Sequence, residues 1–208
     1  MFLLFDLDGV ILDSESLYDS FWNAQGELYN LGKNFASKIK GQTMPQILNT
    51  FFSSFSVAEQ EKIVADCAHF EANMDCPLIA GAKEFIVDVK SHGVKTALVT
   101  SSGDVKMSRI IKKFAMQQWF NTIVTANRVT YSKPNPQGYL LAATDLSADI
   151  NECIVFEDSF AGIEAGKNAK MKVVALATTN TRQAIQATGN ANLIIDNFVG
   201  FSYESCFF

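Results

Sequence analysis

The sequence predicts an α/β chain, a parallel sheet with helices on both faces, interrupted near its start by a smaller all-helical segment. Three observations carry this. Short apolar runs at residues 1–5, 95–99, 122–125, 153–156, 172–176 and 193–195 read as strands. From residue 77 onward they alternate with segments of helical rhythm, the pattern that builds parallel sheets. Residues 13–76, by contrast, nowhere alternate with period two, so their apolar faces are expected to bury against one another rather than against a sheet.

The first run, Met-Phe-Leu-Leu-Phe, has the look of a strand covered on both faces, and Gly9 then permits a sharp turn. Within residues 17–28, Leu17, Tyr18, Phe21, Trp22 and Leu28 fall near a 3.6-residue period and predict a core-facing helix. A second helix is expected at about 44–52, with Pro45 in its first turn where a missing N–H costs little. A third follows Ser56-Val-Ala-Glu59, which has capping-box form, and carries Ile63, Cys67, Phe70 and Met74 on one face. Residues 82–92 read as a helix stopped by Gly93. The strand at 95–99 leads through Thr100-Ser101-Ser102-Gly103 into a helix with Met107, Ile110, Ile111 and Phe114 on one side. Lys133-Pro134-Asn135-Pro136 is expected to open a helix running to about Thr144. After the strand at 153–156 comes Glu157-Asp158-Ser159, then a helix whose small residues Ala161, Gly162, Ala165, Gly166 and Ala169 permit close packing on a sheet. The aromatic tail, residues 198–208, is expected to cover an open sheet edge or to meet a partner subunit.

Composition bounds the function. Of 208 residues, 48% are hydrophobic and 19% charged, which argues for a globular chain over a disordered one. A net charge of -5 and a pI near 5.0 argue against a nucleic-acid surface, which needs a basic face. The N-terminal apolar run lacks a preceding basic residue and is interrupted by Asp6, unlike a signal peptide, and no stretch approaches the roughly 20 apolar residues of a membrane span. Cys67, Cys76, Cys153 and Cys206, with His69 and His92, show no zinc-binding spacing and are expected to be reduced thiols. The expectation is a soluble cytoplasmic protein, a monomer or weak homo-oligomer, with no membrane or nucleic-acid partner.

In a parallel α/β sheet the site lies at the carboxyl ends of the strands. Asp6 with Asp8, Thr100, and Glu157 with Asp158 all occupy such ends, and Lys133 lies in the loop after another. Asp6 and Asp8, two residues apart on an extended chain, point to one side about 6 to 7 Å apart. Carboxylates that close resist ionising together unless a cation joins them or one keeps its proton. Asp6 then suits a nucleophile and Asp8 a general acid and base, attacking a phosphate ester and later activating the water that hydrolyses the aspartyl-phosphate. Lys133 and Thr100 supply a charge and a hydroxyl for the phosphoryl oxygens. Mg2+ is the expected cofactor, held by Asp6, the Asp8 backbone carbonyl and Asp158, with Glu157 ligating or orienting from behind. Gly9, Ser101, Ser102, Lys40, Gln42 and Thr43 are the expected substrate contacts. Each residue alone has a plainer reading: Thr100 as a helix cap, Lys133 as a solvated loop charge, Glu157 and Asp158 as acids favoured by a helix dipole. Their meeting at one sheet edge is what favours chemistry.

The pattern Asp6-Leu-Asp8-Gly9-Val10, Leu98-Val-Thr100-Ser101, Lys133-Pro134 and Glu157-Asp158-Ser159 resembles, in order and spacing, the four motifs of the haloacid dehalogenase-like superfamily, in its phosphatase and beta-phosphoglucomutase-like branch. The resemblance covers nearly the whole chain. It implies a Rossmann-like core at residues 1–12 and 77–208, a helical cap inserted at 13–76, an aspartyl-phosphate intermediate and Mg2+. Dehalogenase members lack the second motif Asp, so Asp8 points to phosphoryl transfer. Mutases of this type carry a cap His and an Arg in a Lys-Gly-x-Ser-Arg loop; here Tyr18 and Met44 stand at those places, the latter within Lys40-Gly41-Gln42-Thr43-Met44. Without that Arg a bidentate phosphate clamp is missing, which favours hydrolysis of a sugar phosphate over isomerisation. Ser132 stands where many relatives have Gly, and Asn127-Arg128 replaces a commoner acidic pair. A receiver-type signalling module also clusters acids, a Thr and a Lys around a phosphorylated Asp, but places its acidic pair first and its Lys after the Thr on the last strand.

Overall fold

The structure, a computed structural model, describes residues 1–40 and 42–208. Six parallel strands form one sheet: β1 (Phe2–Phe5), β2 (Lys95–Val99), β3 (Thr122–Val124), β4 (Cys153–Glu157), β5 (Lys172–Leu176) and β6 (Leu193–Ile195), in the order β3-β2-β1-β4-β5-β6. The chain runs outward from β1 to β3, returns to the other side of β1 at β4, and continues to β6. That reversal opens a crevice at the carboxyl ends of β1 and β4.

Period-two alternation explains the two layers. Leu3 and Phe5 point to one face with Leu98, Ile154 and Phe156; Leu4 points to the other with Ala97, Val99 and Val155. The first face is aromatic and is covered by α5 (Ala82–Ser91) and α6 (Asp104–Phe114) through Phe85, Val89, Met107 and Ile110. The second is small and is covered by α7 (Gln137–Leu146), α8 (Phe160–Asn168) and α9 (Arg182–Thr188) through Tyr139, Ala142, Ile163 and Ile185. Burying each large apolar side chain stabilises the fold by roughly 1.5–3 kcal/mol.

Between β1 and α5 lie α1 (Glu15–Leu28), α2 (Phe35–Ile39), α3 (Met44–Phe51) and α4 (Val57–Asn73). They bury their own cluster, including Trp22, Phe35, Ile39, Ile47, Phe52 and Ile63. Ser56 and Glu59 form the capping box the sequence announces, and Thr43 with Gln46 forms a second at α3. The two linkers into this helical segment pair with each other. Leu12 bridges Leu78 antiparallel, the Asp13 N–H donates to the Pro77 carbonyl at 2.9 Å, and the Ile79 N–H donates to the Ile11 carbonyl at 2.9 Å.

Two features depart from the sequence reading. Helices α2 and α9, of five and seven residues, carry too few turns for a periodic signal, although Thr181 and Gly189 flank α9 as caps. Helix α7 starts at Gln137 rather than at the Lys133-Pro134 turn, because Asn135 first accepts the Gln137 N–H at 3.0 Å. The aromatic tail closes the aromatic face of the sheet. Phe198 is buried, stacks on Phe85 at 5.2 Å between centroids and lies 5.7 Å from the Phe156 ring, its N–H donating to the Ala80 carbonyl at 3.0 Å. Gly81 permits this approach: it has φ +78, and a Cβ there would run into the Phe198 backbone. Tyr203 then stacks on His92 and Cys206 is buried.

Candidate active site

Strand registers deliver the chemistry to one edge. The Asp6 N–H continues the β1–β4 ladder to the Phe156 carbonyl at 3.0 Å, and the Thr100 N–H continues β2–β3 to the Val124 carbonyl at 2.9 Å. Asp6 and Thr100 therefore emerge where the sheet ends, next to Glu157, the last residue of β4. The buried Lys133 ammonium donates to Asp6 Oδ1 at 2.6 Å, to Glu157 Oε1 at 2.5 Å and to the Val99 carbonyl at 3.2 Å. Glu157 is fully buried. It also accepts the Tyr139 hydroxyl at 2.7 Å and, through Oε2, the Asp158 N–H, the Ser159 N–H and the Ser159 hydroxyl. Ser159 in turn caps α8 by accepting the Gly162 N–H at 3.0 Å. Position 162 needs glycine, because a Cβ there would overlap the Glu157 carboxylate.

Burial pushes the Asp6 carboxyl up to about 7, since the single Lys133 charge beside it is shared with Glu157. Burial alone would lower the Lys133 ammonium, but two carboxylates outweigh it and hold it above its usual range.

Asp8 is arranged differently. Its carboxylate accepts the Ser14 hydroxyl at 2.6 Å, the Ser102 hydroxyl at 3.2 Å and the Lys106 ammonium at 2.6 Å. Burial works against its charge, yet Lys106 and the hydrogen bonds prevail and keep the group below the usual carboxylate range. Lys106 is itself buried, on α6, and donates to the Tyr18 hydroxyl at 2.7 Å; Tyr18 donates to Glu71 at 2.7 Å. A continuous chain thus runs from the sheet edge through Asp8 and Lys106 to α1 and α4.

Asp158 lies under Gly9, where φ is +76 and a Cβ would collide with the Asp158 carboxylate. Thr179 donates to Asp158 Oδ2, the Asn180 amide donates to its carbonyl at 3.0 Å, and Thr178 donates to the Gly9 carbonyl at 2.6 Å. Burial first, then the neighbouring Glu157 and Asp6 charges, raise the Asp158 carboxyl well above its usual range. Asp6, Glu157 and Asp158 each offer an oxygen within 4.8 Å of the others, a cluster able to hold a metal ion. A hard cation suits these all-oxygen donors and would relieve the charge crowding that raises Asp6 and Asp158. Glu157, with five donors already on its oxygens, fits a place behind that ion; Asp6 and Asp158 fit its direct ligands.

A cavity of about 290 Å³ opens between this edge and the helical segment. It brings together Asp6, Asp8, Thr100, Ser101, Ser102, Lys133, Asp158, Lys40 and Gln42. Glu157 sits beneath it, and Gly9 packs against the Asp158 carboxylate. Thr43 lies outside its wall, its side chain turned to Gln46 at the head of α3. Gln42 donates to the Lys38 carbonyl at 2.8 Å, and Lys40 pairs with Glu15 and Asp19; Gly41, in the same loop, lies outside the described residues. Thr100 accepts the Ser102 N–H at 3.0 Å. Asn127 accepts the N–H of Asp104 at the head of α6 at 3.1 Å, and Arg128 pairs with Asp145 of α7 at 2.8 Å. Sequence reasoning misses Lys106, Glu71 and the Thr178-Thr179-Asn180 run. Only the last carries a readable signal, a hydroxyl-rich strand end like Thr100-Ser101-Ser102.

Known proteins give the same picture. The family described as haloacid dehalogenase-like hydrolase matches residues 3–176. Validoxylamine A 7'-phosphate phosphatase of Streptomyces hygroscopicus subsp. limoneus is 28% identical over 189 residues, covering 88% of each chain. Hexitol phosphatase A of Escherichia coli K12 is 31% identical over 176 residues, 83% of this chain and 81% of that one. A HAD hydrolase of family IA, variant 3, from Entamoeba histolytica superposes with a TM-score of 0.85 at 23% identity, over 98% of this chain and 96% of the other, and so shares its fold. With a parallel sheet whose carboxyl edge gathers Asp6, Thr100, Lys133 and Asp158, and a family match spanning most of its length, the chain belongs to the haloacid dehalogenase-like hydrolases.

Proposed function

We propose that this hydrolase removes the phosphoryl group of a small sugar-like phosphate monoester by way of an aspartyl-phosphate on Asp6. The observation that carries the reading is the convergence of Asp6, Asp8, Thr100, Lys133 and Asp158 on one cavity of metabolite size. The phosphatase relatives support the substrate class. A carboxylate oxygen of Asp6 attacks phosphorus while the ester oxygen departs with a proton from Asp8. Lys133 and Thr100 face the equatorial oxygens, where charge builds. Water, deprotonated by Asp8, then attacks the same phosphorus, releasing inorganic phosphate and restoring Asp6. Asp6, Asp158 and the Asp8 carbonyl would hold Mg2+, whose positive charge offsets the approach of a dianion to two carboxylates.

Asp8 rests as a carboxylate under Lys106, the form the second step uses. In the first step it must carry a proton, so its contact with Lys106 loosens in the substrate complex. Residues 13–76 are read as a cap on a core of 1–12 and 77–208, supported by their separate hydrophobic cluster and the paired linkers. The test is a panel of phosphorylated metabolites assayed for phosphate release with Mg2+, with hexose phosphates also checked for isomerised product. Release that Asp6→Asn or chelator abolishes is expected; an active Asp6→Asn enzyme would overturn the nucleophile assignment.

A further inference from the structure

Both sides of the cavity carry more carboxylates than lysines, and those of the helical side take no part in the reaction centre. Among the described residues that line it, three are lysines, and each is committed. Lys133 is held by Asp6 and Glu157 at the reaction centre, and Lys106 by Asp8 at 2.6 Å. Lys40, the cation on the helical wall, lies 3.0 Å from Glu15 Oε2 and 3.0 Å from Asp19 Oδ1. That wall also carries Glu71, so it presents three carboxylates against one ammonium.

We propose that the site selects monophosphates whose alcohol part is a polyol or an amine-bearing polyol with no second anionic group. This rests on the phosphatase reading and specifies the leaving group within it. With the phosphoryl group at Asp6 and Lys133, the alcohol part lies against the helical wall. A second phosphate or a carboxylate there would meet excess negative charge in a partly enclosed space, where water and salt screen poorly. Hydroxyl and ammonium groups would instead donate to Glu15, Asp19 and Glu71, each a strong acceptor. Tyr18 and Trp22, in the same wall, add aromatic surface that suits the C–H groups of a polyol.

The test compares kcat/KM of the full chain with Mg2+ on a hexitol monophosphate, an amino sugar monophosphate, a hexose bisphosphate, a phosphorylated sugar acid and an aryl phosphate. The first two are expected to exceed the bisphosphate and the sugar acid by about tenfold or more. The double variant Glu15→Gln/Asp19→Asn, which releases Lys40, is expected to raise the bisphosphate relative to the hexitol phosphate by about tenfold. Aryl phosphate turnover with the bisphosphate or sugar acid equal to the hexitol phosphate overturns this inference while leaving the phosphatase reading in place. A ratio unmoved in the double variant also overturns it, and the wild-type ratio stands as a test should that variant misfold. No turnover of any ester, aryl phosphate included, overturns both.

Discussion

Replacing Lys106 by Met removes the charge that holds Asp8 but keeps most of the aliphatic stem. The pair is buried, with the Lys106 and Asp8 side chains 4% and 19% exposed and 2.6 Å apart. Stripping one partner from a buried pair costs about 3–5 kcal/mol, because the other charge remains without compensation. Asp8 retains two hydroxyl donors, Ser14 and Ser102, which places the expected loss near the lower figure, about 3 kcal/mol. For a chain of this length that lowers Tm by roughly 6–12 °C. The loss must also depend on pH. Because Lys106 and the hydrogen bonds hold the folded Asp8 carboxyl below the ordinary carboxylate value, it contributes stability above that value and loses it as the solution is acidified. The deficit of Lys106→Met should therefore be full at pH 7 and shrink below about pH 4. Urea titrations followed by tryptophan fluorescence, in chelator, measure this for wild type, Lys106→Met, Asp8→Asn and the double variant. A coupling energy of about 1–3 kcal/mol is expected between the two sites. Strict additivity, or a Lys106→Met deficit equally large at low pH, would refute the assignment of Lys106 as the partner that keeps Asp8 ionised.

Asp6 and Asp158 carry the opposite sign. Their folded carboxyls bind protons more tightly than unfolded ones, so the metal-free protein loses their contribution as pH rises, that of Asp6 between about 4 and 7. Mg2+ should accordingly raise Tm more at pH 7 than at pH 5 in thermal scans, since binding must displace these protons; an equal rise at both would contradict it. Phe198→Ala should cost about 3–5 kcal/mol in urea unfolding, and a loss under about 1 kcal/mol would mean the tail does not close the aromatic face. Gly162→Ala forces a methyl against Glu157 and should destabilise by more than about 2 kcal/mol while cutting phosphate release; wild-type stability and turnover would contradict the packing described for Glu157.

What was legible in the sequence follows from the fold's own physics. A carboxylate cannot sit inside a strand buried on both faces, so Asp6 and Asp158 had to mark strand ends, and a parallel sheet gathers those ends on one edge. Lys106 was hidden for the converse reason. On α6, between Val105 and Met107, it reads as another helix lysine, and its partner is 98 residues away. Tyr18 reads as one more apolar position of an amphipathic helix, and only tertiary packing shows its hydroxyl reaching Lys106 and Glu71. The charge on Lys40 was visible, but its partners Glu15 and Asp19 lie on another helix, so its commitment was not. The tail's aromatic richness says that it is buried without saying against what, so its packing on Phe85 and Phe156 was not legible.

The aspartyl-phosphate is caught by mixing enzyme, Mg2+ and a phosphate monoester, quenching in acid within one turnover, and mapping phosphorylated peptides by mass spectrometry. A phosphoryl group is expected on Asp6 of the N-terminal peptide, absent in Asp6→Asn. Phosphate release by an enzyme whose Asp6 is never modified, under conditions where the aspartyl-phosphate survives, would contradict it.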